Sequence, residues 1–354
     1  MPHHLPDKAA KFAKHCANER ENQSERCITM TLAIRFHQTG GPNVLRLEEI
    51  ELPPPAQDQL RLRQTAVAVN FRDILIRRGG HTPPPLPSGL GIESAGIVEA
   101  IGPGVTGFAI GDRVACVAGP DGAYAHARNV PAARAVRLPA GIDDIAAAAM
   151  MVRGMTARYL LRETYCVKAG DTILVHAAAG GVGLSMCQWA KHLGATVIGT
   201  VGSDDKAAIA RAHGCDHTIV YTREDVAPRV LEITSGKGVP VVYDSVGRTT
   251  FEGSLLSLAP RGVLASYGEA SGDPDPVPPR RLGQLGSLFL THPSLGNYTA
   301  TREDLLATTN DLFDVVGSGA VVIEVTRTYP LADAARAHDD MENRRTTGSI
   351  VLLP

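Results

Sequence analysis

The chain has 354 residues, enough for two domains or one large one. Hydrophobic residues make up 44% and charged residues 20%, the balance of a globular protein with a sizeable core. A net charge of −2 excludes a general pull toward nucleic acid or anionic membrane, leaving only local basic patches open, and no apolar run approaches the ~18 residues of a membrane-spanning helix.

The first 27 residues, MPHHLPDKAAKFAKHCANERENQSERC, lack the apolar core of a secretory signal. Asp7, Glu19, Glu21 and Glu25 are too many acids for a typical mitochondrial transit peptide. Residues 1–29 read as a disordered appendage with at most a weak helix over 8–20, and the compact fold is expected from Met30 onward. Cysteines at 16, 27, 116, 166, 187 and 215 form no Cys-x-x-Cys pair. Neither a zinc ribbon nor a disulfide framework is signalled, and reduced thiols in the cytoplasm are the expectation.

From Thr31 to about Pro139 the signals are mostly strand. LRLRQTAVAV alternates, and GIVEAIG and GDRVACV are short β runs bounded by glycine. The glycines of GVTGFAIGDRV fall where a small barrel would turn corners, and HTPPPLPSG (81–89) is a proline-rich loop. Near residue 143 the rhythm changes, and DDIAAAAMMVRGMTARYLLRETY predicts a helix interrupted by one glycine. Strands TILVHA, TVIGTV, HTIVY, PVVYDSV and GVLASYG then alternate with helices over 183–193, 204–213, 223–234 and 250–258. That alternation predicts right-handed βαβ units, an α/β doubly wound parallel sheet of Rossmann type. A second β-rich stretch, including VVIEVTRTYPL and GSIVLLP, closes the chain and is expected to return to the first domain.

Between the first parallel strand and its helix stands Ala178-Ala179-Gly180-Gly181-Val182-Gly183, a dinucleotide fingerprint with alanine in the first glycine place. Gly180 would let the backbone approach a pyrophosphate, and Gly183 would let helix and strand pack closely. The helix N-terminus offers free N–H groups to the phosphates. An NAD-binding unit usually ends its second strand on Asp or Glu, which holds the ribose 2′-OH. Here that end reads Gly199-Thr200-Val201-Gly202-Ser203, with Lys206 one turn on, which favours NADPH. Asp204 and Asp205 would repel a 2′-phosphate, and are read as acids in the first turn of a helix. His176 is read as packing beneath the cofactor loop rather than as a base.

With these residues in place, the chain from Met30 to Pro354 resembles the zinc-free quinone oxidoreductases of the medium-chain dehydrogenase/reductase superfamily, the family that includes lens zeta-crystallins. The matching stretches are VNFRDILIRRG, LPSGLGIESAGIVEAIG, HAAAGGVGLSMCQWAKHLGATVIGTVG, VVYDSVGR and GSLFLTHPSL. The resemblance implies a GroES-like, partly open β-barrel catalytic domain (30–153 and 295–354) split by an NADPH-binding Rossmann domain (154–294). It also implies a homodimer.

Zinc-dependent members of the superfamily have cysteine where this chain has Asn70, and Gly-His-Glu where it has Gly91-Ile92-Glu93, so no metal site is expected. Carried over residue by residue, the resemblance places Asn70 and Asp73 at the nicotinamide end. It places Thr156 and Tyr159 on the preceding helix, and Gly180, Gly181 and Val182 at the pyrophosphate. Ser203, Lys206 and Tyr221 fall around the adenosine and its 2′-phosphate, and Arg344 near the phosphate side. Ser245 and Val246 end the fourth parallel strand, Tyr267 and Gly268 follow the fifth, and Phe289, Leu290 and Thr291 pass the nicotinamide. No general acid is assigned.

Three departures bear on the acceptor: Leu75 and Arg158 stand where relatives have tyrosines, and Arg72 replaces an apolar residue. The implied activity is NADPH-dependent reduction of small quinones by direct hydride transfer. The alternatives are an enone or alkenal reductase on the same fold, and a low-turnover nucleotide-binding protein of the crystallin type. The net charge offers no basic footprint for RNA binding as a main role.

Overall fold

The structure is a computed structural model that describes residues 29–80, 84–117, 121–343 and 345–354. The segment expected as an appendage therefore lies outside the described residues, except for Thr29. That residue already pairs with Leu52, and its hydroxyl accepts from Arg61 Nη1 at 2.7 Å, so the first strand begins one residue earlier than expected.

The N-terminal part is built from β1 (Thr29–Phe36), β2 (Arg46–Leu52), β3 (Gln59–Val69), α1 (Phe71–Arg78), β4 (Ser88–Gly89), β5 (Glu93–Ile101), β6 (Arg113–Val117), β7 (Ala127–Pro131) and β8 (Ala135–Arg137). A three-stranded sheet runs β2-β1-β4. A second, larger sheet takes in β3, β5, β6 and β8, with β7 also on β3. Two late strands, β15 (Val325–Pro330) and β16 (Ser349–Leu353), return to it, β16 pairing antiparallel with β3. These sheets form the GroES-like barrel.

Between them the chain forms α2 (Asp144–Tyr159), β9 (Thr172–Val175), α3 (Gly181–His192), β10 (Thr196–Val201), α4 (Asp204–Ala212), β11 (His217–Val220), α5 (Val226–Ile233), β12 (Val239–Asp244), α6 (Phe251–Ser257), β13 (Leu258–Ser266), α7 (Pro279–Gln284) and β14 (Phe289–Thr291). Short α8 (Leu295–Tyr298), α9 (Arg302–Gly317) and α10 (Ala334–Glu342) complete the helices. The six parallel strands stand in the order β11-β10-β9-β12-β13-β14. This is the doubly wound arrangement, whose strand order reverses between β9 and β12. Helices cover both faces, so TILV, TVIGTV and VPVVYD are nearly continuous apolar runs rather than alternating ones.

α2 is the joint between the parts. Asp143 caps it, its Oδ1 accepting from the Ala146 amide at 2.8 Å. Its run of Ala147–Met151 is buried in one core that extends from Ala66 and Ala95 of the barrel to Ile173, Val175 and Trp189 of the parallel layer. The predicted helix over 143–165 is shorter than expected, because after Tyr159 the chain widens into a π turn at Leu160–Thr164. The predicted helix 223–234 starts late, at Val226. Glu224 Oε1 accepts from the Val220 amide at 3.0 Å and stabilises a turn there instead. No helix among the described residues is long and apolar enough to cross a membrane.

Candidate functional site

Ligands of an open parallel sheet sit outside the carboxyl ends of its strands, at the point where strand order reverses. The loops after β9, β10, β12 and β13 meet there. Ala177 leaves β9 in a left-handed conformation (φ 51°), a strained turn for a residue with a Cβ. The chain then closes over β10, Ala178 N donating to Thr200 O at 3.0 Å. Gly183 presses onto the strand: a Cβ there would lie 2.3 Å from Ala177 O. Gly181 is covered by the Arg153 side chain, whose Nε would be 2.5 Å from an added Cβ. Gly180 precedes the first turn of α3, and Val182 lies within it.

Arg153 is the residue that spacing did not single out. It sits on α2, buried, and its Nη2 donates to Val69 O of the barrel at 2.8 Å. Its Nη1 is buried with no hydrogen-bond partner, and its Nε and Cδ pack over Gly181 in the first turn of α3. The guanidinium charge therefore stands beside the helix N-terminus, where an anion is favoured. The glycine cradle and this charge fit the diphosphate of a dinucleotide. The sequence signal was a lone arginine inside the apolar run AAAAMMVRGM.

His176 directly follows β9, and its neighbours fix it. Its Nδ1 lies 2.9 Å from Thr200 Oγ1 and its Nε2 3.0 Å from Ser254 Oγ. Ser254 Oγ and Thr250 Oγ1 both reach Asp244, at 2.6 Å and 2.8 Å. Burial pulls the His176 pKa below its ordinary value. This closed network ties β9, β10, β12 and α6 together under the loop. Asp244 Oδ1 also accepts from the Val246 and Gly247 amides, which shapes the Ser245–Val246 turn. Gly268 lies against the Ser245 backbone, and the Tyr267 hydroxyl contacts Met186 Sδ at 3.9 Å.

At the tip of β10, Ser203 caps α4, its Oγ accepting from the Lys206 amide at 3.3 Å. The Tyr221 hydroxyl lies against Gly202, and its ring is half exposed. Asp204 is clasped by Arg223 through two hydrogen bonds of 2.6 and 2.9 Å.

Across the cleft, Asn70 precedes α1. Its backbone amide donates to Asp73 Oδ2 at 2.9 Å, and its Nδ2 donates to Glu93 Oε1 at 2.6 Å. Glu93 Oε2 accepts from the Val152 amide at 2.5 Å. Burial raises the Glu93 pKa, and the Arg153 charge opposes that rise. Asp73 is fully buried, which pushes its pKa up to about 7, while the Asn70 amide, Arg72 and Tyr124 pull it down. Tyr124 OH donates to Asp73 Oδ2 at 3.1 Å and stands 3.0 Å from His338 Nε2. Arg77 Nη1 lies 3.4 Å from His338 Nδ1, and its Nη2 donates to Glu342 at 2.6 Å. Arginine offers only donors, so His338 accepts at Nδ1 and carries its proton on Nε2. Its pKa is driven down to about 3 by burial and by Arg77. The Tyr124 proton is thereby directed to Asp73. Nothing in the spacing announced this chain, whose hydrogen-bonded partners lie up to 265 residues apart.

The remaining expected positions lie as follows. Tyr159 is buried and stacked on Tyr298 with centroids 4.4 Å apart, its hydroxyl 3.4 Å from Pro293 O. Thr156 is buried on α2 one turn before it. Phe289, Leu290 and Thr291 form β14 at the edge of the parallel sheet, with Phe289 and Leu290 exposed. Arg344 lies outside the described residues. Of the departures, Arg72 pairs with Asp121 at 2.6 Å, and Arg158 binds Asp311 at 2.9 Å and Glu163, so both guanidinium groups are engaged by carboxylates.

A doubly wound dinucleotide sheet, a GroES-like barrel and a cleft between them define the two-part architecture of the medium-chain dehydrogenases and reductases. Residues 56–169 match the family model "Alcohol dehydrogenase GroES-like domain", and residues 181–310 match "Zinc-binding dehydrogenase". The chain is 51% identical to a quinone oxidoreductase of Pseudomonas aeruginosa, over 92% of this chain and all of that one. It is 48% identical to a 2-haloacrylate reductase of Burkholderia sp, over 92% of this chain and 99% of that one. The crystal structure of Escherichia coli quinone oxidoreductase complexed with NADPH superposes with a TM-score of 0.89 at 47% identity, covering 91% of this chain and all of that one. The chain belongs to the quinone oxidoreductase family of the medium-chain dehydrogenase/reductase superfamily.

Proposed function

We propose that this protein reduces small quinones with NADPH by direct hydride transfer and without zinc. The observation that carries the reading is the donor set at the strand ends. α3 presents its free amides, the Arg153 guanidinium lies against Gly181 in its first turn, and Lys206 follows the tip of β10. That set suits a diphosphate and a 2′-phosphate. The relative solved with NADPH supports it.

When bound, NADPH supplies a hydride to an electron-poor ring or double bond. The chain's own residues hold and orient. In this reading Gly180, Gly181, Val182 and Arg153 hold the diphosphate, and Ser203, Lys206 and Tyr221 hold the adenosine end. Ser245, Val246, Tyr267 and Gly268 border the cleft from the strand ends, and Asn70 borders it from the barrel. The network beneath Asn70 fixes that wall, which would help hold donor and acceptor close and aligned.

The donor chemistry supports the absence of a zinc step. An amide and Ile92 stand where zinc relatives have cysteine and histidine, and both Glu93 oxygens are already hydrogen-bonded. A quinone is electron-poor enough to accept hydride without a Lewis acid. Metal analysis of the purified protein should find no stoichiometric zinc, and zinc dependence of turnover would overturn this part.

The 2-haloacrylate relative supports a second reading, in which the acceptor is an activated alkene. Parallel assays of NADPH loss with 1,4-benzoquinone, a small enone and 2-chloroacrylate separate the two. Faster loss with an alkene than with the quinone moves the activity to alkene reduction. A homodimer in the cytoplasm belongs to the same reading. The exposed Phe289 and Leu290 on an edge strand are the kind of surface a second copy would cover, and sedimentation tests it.

A further inference from the structure

We infer that Arg223 determines cofactor specificity by masking Asp204. The inference rests on the NADPH reading above and goes beyond it to a residue pair. Asp204 is the first residue of α4, directly after Ser203 at the tip of β10. In dinucleotide sheets a carboxylate at the end of the second strand accepts the ribose 2′-OH of NADH and repels the 2′-phosphate of NADPH; Asp204 stands three residues past the end of β10, in the first turn of α4, where its charge would still oppose a 2′-phosphate. Left bare, Asp204 would therefore disfavour NADPH.

The structure neutralises it. Arg223 reaches back from the turn after β11 and forks both Asp204 oxygens, Nη2 to Oδ1 at 2.6 Å and Nη1 to Oδ2 at 2.9 Å. The bidentate fork engages one lone pair on each oxygen and offsets the charge that a phosphate would meet. Both side chains are exposed, so the pair contributes little to folding and its removal leaves the fold standing. Arg223 itself is brought there by the turn that delays α5, in which its amide donates to Val220 O at 2.9 Å. Tyr221, two residues earlier, lies against Gly202, so one short segment supplies both a wall of the site and the mask.

The test is a double-mutant cycle on binding. Wild type, Arg223→Ala, Asp204→Asn and the double variant are titrated with NADPH and NADH, with binding read by nicotinamide fluorescence and calorimetry. Arg223→Ala should weaken NADPH by about tenfold. NADH should bind it about as tightly as it binds wild type, because NADH carries no 2′-phosphate for the bare Asp204 charge to repel. Asp204→Asn added to Arg223→Ala should recover most of the NADPH affinity, since the repelling charge is gone. If Arg223→Ala binds NADPH like wild type, or if the double variant stays as weak as Arg223→Ala, the masking role is overturned while the cofactor reading stands. If wild type itself fails to prefer NADPH, the cofactor reading falls and the inference falls with it.

Discussion

Asp73 and Tyr124 illustrate how a single proton's direction is set by residues far away in sequence. Arg77 cannot accept, so His338 Nδ1 must, and the Tyr124 hydroxyl is left to donate to Asp73. Tyr124→Phe removes that donor and strands the His338 Nε2–H in a buried place. We expect a loss of about 1–3 kcal/mol in denaturant unfolding at unchanged m-value. A loss under about 0.5 kcal/mol would mean that the chain of hydrogen bonds carries no stability. Lys206→Ala, one turn into α4, should weaken NADPH binding far more than NADH binding. Equal weakening of both would remove its phosphate role. The chemistry at this scale was only partly legible. The glycine loop and Lys206 could be read because local sequence sets them in a strand-turn-helix frame. Arg153, Tyr124 and His338 could not, because their partners come from tertiary contacts that no short window contains.

Elements were more readable, and the reason is burial. A parallel strand covered on both faces must be apolar throughout, so TILV, TVIGTV and VPVVYD announce themselves. Their order in the sheet follows from right-handed crossovers. The ends of helices were less visible. α2 loosens into a π turn after Tyr159, and a glutamate side chain rather than a helix follows β11. The start of α2 is a local matter and tests simply. Asp143→Ala removes the bond to the Ala146 amide and should cost about 1 kcal/mol of stability, measured as a lowered Tm. An unchanged Tm would show that water replaces the cap without loss. Thr156 and Tyr159, expected near the cofactor, are both buried on this helix, where Tyr159 stacks on Tyr298.

For the whole molecule, the buried carboxyl of Asp73 links folding to pH. Its pKa is about 7 in the folded chain against 3.8 when free. The folded state therefore holds a proton that the unfolded state has released between these values. Stability from this group is fully present below about pH 4, is lost as pH rises toward 7, and changes no further above. Asp73→Asn lacks the titration. The stability difference between Asp73→Asn and wild type should shift in favour of the variant by about 1.4 kcal/mol per pH unit between roughly pH 5 and 7. A difference that stays flat with pH would place the Asp73 pKa near its ordinary value.

The division of labour between barrel and parallel sheet also sets what the molecule does. In the proposed reading the sheet ends hold the dinucleotide and the barrel borders it at Asn70; α2 joins the two parts through a single core, with Arg153 touching both. The central claim is that this arrangement brings a hydride from NADPH to a small quinone. The most direct test follows the reduced-nicotinamide absorbance of purified protein with NADPH or NADH and 1,4-benzoquinone, with and without a zinc chelator. Rapid, protein-dependent loss of NADPH, slower loss of NADH and no effect of the chelator are expected. Tight NADPH binding without loss of absorbance would contradict the central claim and leave a nucleotide-binding protein with another task.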